Sequence, residues 1–185
     1  MILLVLGLLV WALAHWFRRL APDRRAAMGD AGKGLVALLV VVALLLMIFG
    51  YRWAPFVPVW TPPAWTVHLN NLLMVAAFWA YGSSAAKGPK AFPANRTRHP
   101  QLLGFGIWAT AHRLVNGDLA SIVLFGGLLV WAVVSALLIN RAEPHWVAPP
   151  HAGSKTYIRL AVITAVVFAI VTTIHAWLGV WPFGG

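Results

Sequence analysis

Cysteine is absent from the chain, and acid is nearly so: Asp23, Asp30, Asp118 and Glu143 are the only four acidic residues among 185. The first absence excludes disulfides, thiolate metal ligands, iron–sulfur clusters and cysteine nucleophiles. The second argues against paired-carboxylate catalysis and hard-metal cages, because none of the four lies deep in an apolar run. Charge of either sign makes up only 10% of the residues, against 61% hydrophobic and a mean hydropathy of +0.81. A soluble domain of this length has no way to hide so much apolar surface. The Gly104-Phe105-Gly106 triplet lies in an apolar run without a strand–turn–helix context, so it is not a dinucleotide loop.

What the chain does have is apolar blocks of membrane-span length. Six stand out: Ile2 to Phe17, about Leu35 to Tyr51, about Ala64 to Tyr81, Pro100 to about Val115, Leu119 to Ile139, and about Tyr157 to Leu178. No positive charge precedes the first, so Ala12-Leu13-Ala14 reads as part of a retained helix rather than a cleavage site. Asn116-Gly117-Asp118 is a natural turn into the fifth. The fold class is therefore all-α, a polytopic transmembrane helix bundle of about six helices forming a single domain over residues 1–185.

The basic residues order this bundle. Arg18, Arg19, Arg24, Arg25 and Lys33 follow the first block; Lys87, Lys90, Arg96 and Arg98 follow the third; Arg141, Lys155 and Arg159 follow the fifth. Only Arg52 and Arg113 fall elsewhere. Positive-inside orientation accounts for this pattern and for the net charge of +10, with no need for nucleic acid as a partner. It places both termini on the non-cytoplasmic side of a bacterial-type inner membrane. The Pro- and Trp-rich APFVPVWTPPAW segment then belongs at the outer interface.

Seven histidines are the remaining chemistry. At ~1.5 Å per residue, His68, His112 and His175 each lie one or two turns below the outer surface. His15 lies about a turn from the inner end of the first helix, and His99 opens the fourth at the inner boundary. His145 and His151, in a Pro-rich loop, read as surface residues. An imidazole within a membrane must find a partner, so each intramembrane histidine is either interhelical glue or a ligand. Several in one small bundle favour ligation, because neutral imidazole suits haem iron. On the fourth helix Gly104, Trp108, His112 and Asn116 share one face. A glycine admits a flat ligand or a neighbouring backbone, an indole stacks on a ring or fills space, and an imidazole ligates. Arg96 and Arg98 pair with the carboxylates of a cofactor or anchor the helix at the headgroups.

The run TRHPQLLGFGIWATAH followed by NGD resembles the signature of the NnrU family, membrane proteins associated with denitrification. LAHWFRRL in the first helix and GYRWAP after the second extend the likeness over most of the chain. The family is similar to the plant 15-cis-zeta-carotene isomerases, haem b enzymes of the same superfamily. The resemblance implies haem b held by His112 and His15; by depth along the helices, His68 and His175, which match the depth of His112, are the fallback ligands. Where the isomerases carry a cysteine three residues before the second histidine, this chain has Ala109. The implied functions are a haem protein of nitrogen-oxide metabolism or nitric oxide response and, as the alternative, a cis–trans isomerase acting on a hydrophobic polyene. A more distant likeness to membrane methyltransferases rests on the Arg98-His99-Pro100 segment alone.

Overall fold

The computed structural model describes residues 1–184. Its elements are all helical: α1 (Ile2–Leu20), α2 (Pro22–Ala27), α3 (Gly29–Arg52), α4 (Thr66–Gly82), α5 (Pro100–Val115), α6 (Leu119–Ala142) and α7 (Ser154–Trp177). Six correspond to the expected blocks. The seventh, α2, folds inside the first basic connection, where Pro22 opens the helix at a position that needs no N–H. Gly29 then takes φ +52°, turning the chain into α3.

Four helices (α1, α3, α6 and α7) are long and apolar enough to cross a membrane. The six expected crossings thus reduce to four by this measure. Helices α4 and α5 have 17 and 16 residues, which gives them about 25 Å of rise against a hydrocarbon core of about 30 Å. Large apolar side chains cover the outside of the four: Leu9 and Leu13 on α1, Leu38 and Val41 on α3, Val130 and Leu137 on α6, and Val162 and Ile170 on α7 are all exposed. Lipid is the solvent in which such a surface is stable, and the chain is a membrane protein.

The chain divides into two compact units. The first comprises residues 1–61 and 117–142, and so contains α1, α2, α3 and α6. Here α1 and α3 run antiparallel at close range. A Cβ added to Gly50 would lie 2.3 Å from the Leu4 nitrogen, and one added to Gly7 would lie 2.8 Å from the Met47 nitrogen. Leu4 is fully buried in this seam. Helix α6 joins through polar groups. Ser121 Oγ donates to the Asp118 carboxylate, so it must accept from the Tyr51 hydroxyl of α3, 2.8 Å away. Ser135 Oγ donates to the Trp131 carbonyl and accepts from Trp16 Nε1 of α1 at 2.8 Å. Asp118 also accepts from the Ser121 N–H at 3.0 Å and so caps α6, as the Asn-Gly-Asp turn implies. The Pro- and Trp-rich segment pairs with that turn: Val59 N donates to Gly117 O at 2.8 Å, and Leu119 N to Val57 O at 2.9 Å.

The second unit comprises residues 62–116 and 143–184 of the described chain, with α4, α5 and α7. Helices α4 and α5 meet at Gly104, where an added Cβ would lie 2.6 Å from the Ala77 carbonyl and 2.8 Å from the Tyr81 nitrogen. The glycine lets two backbones touch, which is the means of helix association left where lipid removes the hydrophobic drive.

These contacts give a paired prediction. Gly50→Ala should lower stability by about 1–3 kcal/mol through overpacking against Leu4. Gly126→Ala, whose added carbon meets nothing within 4 Å, should leave stability unchanged or raise it. Unfolding midpoints in one detergent check the contrast, and equal midpoints would contradict the seam.

Candidate functional site

The histidines of α1, α5 and α7 are built alike. His15 Nδ1 lies 2.8 Å from the Trp11 carbonyl, His112 Nδ1 lies 3.0 Å from the Trp108 carbonyl, and His175 Nδ1 lies 2.8 Å from the Val171 carbonyl. A carbonyl oxygen only accepts, so in each case Nδ1 carries the proton. In the neutral ring the lone pair then belongs to Nε2, the nitrogen able to ligate. Holding one ring nitrogen so that the other can ligate is how proteins orient metal-binding imidazoles.

Each site also has its own surroundings. In the first unit His15 is exposed on α1, with Trp11 at 4.3 Å and Trp131 of α6 at 5.0 Å between ring centroids. The Trp11 indole N–H beside it is buried without an acceptor. In the second unit His112 is half-buried, with its ring 5.1 Å from Trp108. Asn116 Nδ2 donates to the His112 carbonyl at 2.7 Å, so Trp108, His112 and Asn116 form one ladder along α5. Gly104, on the same face, is occupied by the α4 backbone, which accounts for the glycine without a flat ligand. His68 lies exposed in the first turn of α4. Among the described residues no group of three or more His, Cys, Asp or Glu could hold a bare metal ion. A haem iron asks for only one or two protein ligands.

The arginines at the start of α5 behave differently from each other. Arg98 reaches across to the segment after α6, donating to the Glu143 carbonyl and, at 2.6 Å, to the His145 carbonyl, with the Glu143 carboxylate 4.0 Å away. It clamps a loop to the helix that carries His112. Arg96 is exposed.

One cluster escaped the reading of the sequence. His151, expected to be an ordinary surface residue, stacks on Tyr157 with ring centroids 5.5 Å apart, and its Nε2 lies 3.0 Å from the tyrosine hydroxyl. That hydroxyl accepts from the Phe92 N–H at 2.9 Å, and Trp79 Nε1 donates to the Phe92 carbonyl at 2.7 Å. Lys90 and Ala152 extend the seam, through Lys90 N to Pro150 O at 2.8 Å and Ala152 N to Lys90 O at 2.9 Å. The partners come from four separate stretches of chain, so no local spacing announces them.

The family model for NnrU protein matches residues 3–182. The chain belongs to the NnrU family. No curated protein and no solved structure matches it. The match spans every helix of both units, so the histidines of α1, α5 and α7 all lie within the NnrU region.

The Arg98 clamp can be tested directly. Arg98→Ala should free residues 143–150 and raise their cleavage by a soluble protease severalfold, while Arg98→Lys, with one charged donor group, should be intermediate. An unchanged digestion pattern in both would show that the loop is held by other contacts.

Proposed function

We propose that this NnrU-family membrane protein binds haem b and serves nitrogen-oxide (denitrification) metabolism by binding nitric oxide rather than by turning over a substrate. The observation that carries the reading is the common histidine geometry on α1, α5 and α7: an Nδ1–H committed to the carbonyl one turn back, which in the neutral ring puts the lone pair on Nε2. Neutral imidazole is an ordinary axial ligand for haem iron, and the chain offers no thiolate to compete. When bound, the group supplies a redox-active iron that takes up diatomic gases.

His112 would hold the iron, with Trp108 packed beside its ring. The family resemblance implies His15 as the residue that would share it, and His175 is the alternative within the same unit as His112. Arg96, exposed at the start of α5, is the guanidinium we assign to a propionate, since Arg98 is engaged with loop carbonyls. The polyene isomerase reading draws no support from Ala109, which is fully buried and has no ligand atom.

The test is the absorption spectrum of protein purified after haem supplementation. A Soret band with bis-histidine features is expected. His112→Ala should cut haem per protein by at least about tenfold, and the second ligand is whichever of His15→Ala and His175→Ala also loses the low-spin spectrum. No Soret band in the wild type removes the haem, and an intact spectrum in His112→Ala removes that ligand. Nitric oxide added to the reduced protein should shift the band, and an unmoved band removes the gas-binding role.

We also propose six crossings in a bacterial-type inner membrane, both termini outside, with α4 and α5 matched by local thinning of the bilayer. The supporting pattern is the confinement of basic residues to alternate connections. Reporter fusions after Arg25 and after Pro62 should lie on opposite sides, the first cytoplasmic. The same side for both would sink this topology.

A further inference from the structure

A hollow of about 520 Å³ opens in the second unit where α4 ends and α7 begins, at the other end of α7 from His175. Lys87 and Arg159 line it from different elements, together with the Thr156 side chain. These three side chains make no hydrogen bond or ion pair with any other described residue. Glu143 is the only acidic residue of the unit, and it faces Arg98. Among the described residues the two cations therefore lack a counter-ion.

The rim is built rather than loose. Lys90 Nζ donates to the Ser84 and Ala86 carbonyls, the Ser84 hydroxyl donates to Tyr81 O at 3.0 Å, and Ala85 N donates to Gly82 O at 3.0 Å. Gly88 takes φ +76° to close the turn. One lysine is thus spent holding the loop, and the other is left at the rim. The floor is apolar, formed by Gly82, Leu160 and Ile163. From Ile163 an exposed stripe continues down α7 through Val166, Ile170 and Ile174, a spacing that keeps one helix face.

A cationic rim, an apolar floor and an apolar track leading away from it match one molecule: an anionic head joined to a hydrocarbon tail. We propose that this hollow is a binding site for an anionic phospholipid, its phosphodiester held between Lys87 and Arg159 with Thr156 donating, and one acyl chain lying along the α7 stripe. This site is separate from the haem reading and does not depend on it.

The experiment is thermal unfolding of the detergent-solubilised full chain, followed by tryptophan fluorescence, with three probes: phosphatidylglycerol, phosphatidylcholine and inorganic phosphate. At saturation phosphatidylglycerol should raise the midpoint by about 5 °C, with little effect from the other two. Lys87→Gln/Arg159→Gln should abolish the rise, and Lys87→Arg/Arg159→Lys should keep it. Arg24→Gln/Arg141→Gln, which removes equal charge from the first unit, should also keep it. An equal rise with inorganic phosphate would make this a simple anion site and overturn the lipid. Loss of the rise in the first-unit variant would reduce the effect to bulk charge. No difference between the two lipids in the wild type overturns the proposal even should the glutamine pair fail to fold.

Discussion

Hydrocarbon offers no water to a stranded polar group, so most polar side chains in the middle of these helices find a partner on the chain itself, Trp11 Nε1 and Thr164 Oγ1 being exceptions. The nearest acceptor is the carbonyl one turn back. Thr110 donates to Gly106, Ser135 to Trp131, Thr172 to Phe168 and Thr173 to Ala169, and the histidines of α1, α5 and α7 do the same through Nδ1. For a hydroxyl this leaves an accepting oxygen, which Trp16 exploits at Ser135. For a neutral imidazole it puts the lone pair on Nε2. One solvent constraint thus produces both the polar ties between helices and the common presentation of Nε2.

The same medium decides how helices meet. Without a hydrophobic drive they associate where backbones approach closely, and each unit has one such seam, at Gly7 and Gly50 in the first and at Gly104 in the second. The second seam bears on the site. Helix α5 is fixed against α4 at Gly104, held at its start by Arg98 and packed along the Trp108–His112–Asn116 ladder. Gly104 lies two turns before His112, so its contact sets the rotation of the helix and with it the direction of the imidazole. Of the two roles open to this glycine, room for a flat ligand or for a neighbouring backbone, the structure shows the second.

Much of the fold was legible because its signals are local. Pro100 and the Asn116-Gly117-Asp118 turn bound α5 where the sequence placed it, since one opens a helix and the other caps the next. The ends of α1 and α3 lay further out than the apolar blocks, because polar residues continue a helix once it is nucleated, and hydropathy does not register them. Helix α2 was hidden for the same reason, its residues being read as a charged connection. At the site, the i, i+4 face of α5 was legible from spacing alone. The Tyr157–His151–Phe92–Trp79 network and the reach of Arg98 to residues 143 and 145 were not, because they join stretches far apart in sequence.

The histidines could have been structural glue, and the bonding pattern bears on that. Glue requires a hydrogen bond to a neighbouring helix. His15 and His175 instead direct their protonated nitrogen into their own helices, a bond that satisfies the ring and joins nothing. A leucine in either place would pack in lipid without such a bond, and it would not carry the desolvation of an imidazole. Packing alone therefore gives no reason for a histidine there. The proposed role at Nε2 supplies one, and on His15 the ring is exposed and framed by two indoles. A basic, uncharged nitrogen held in a fixed direction within an apolar medium is suited to a soft, neutral, flat-bound metal rather than to a hydrated ion. Among the described residues no group of three metal-ligating side chains could hold a bare ion, and the proposed haem asks for fewer ligands.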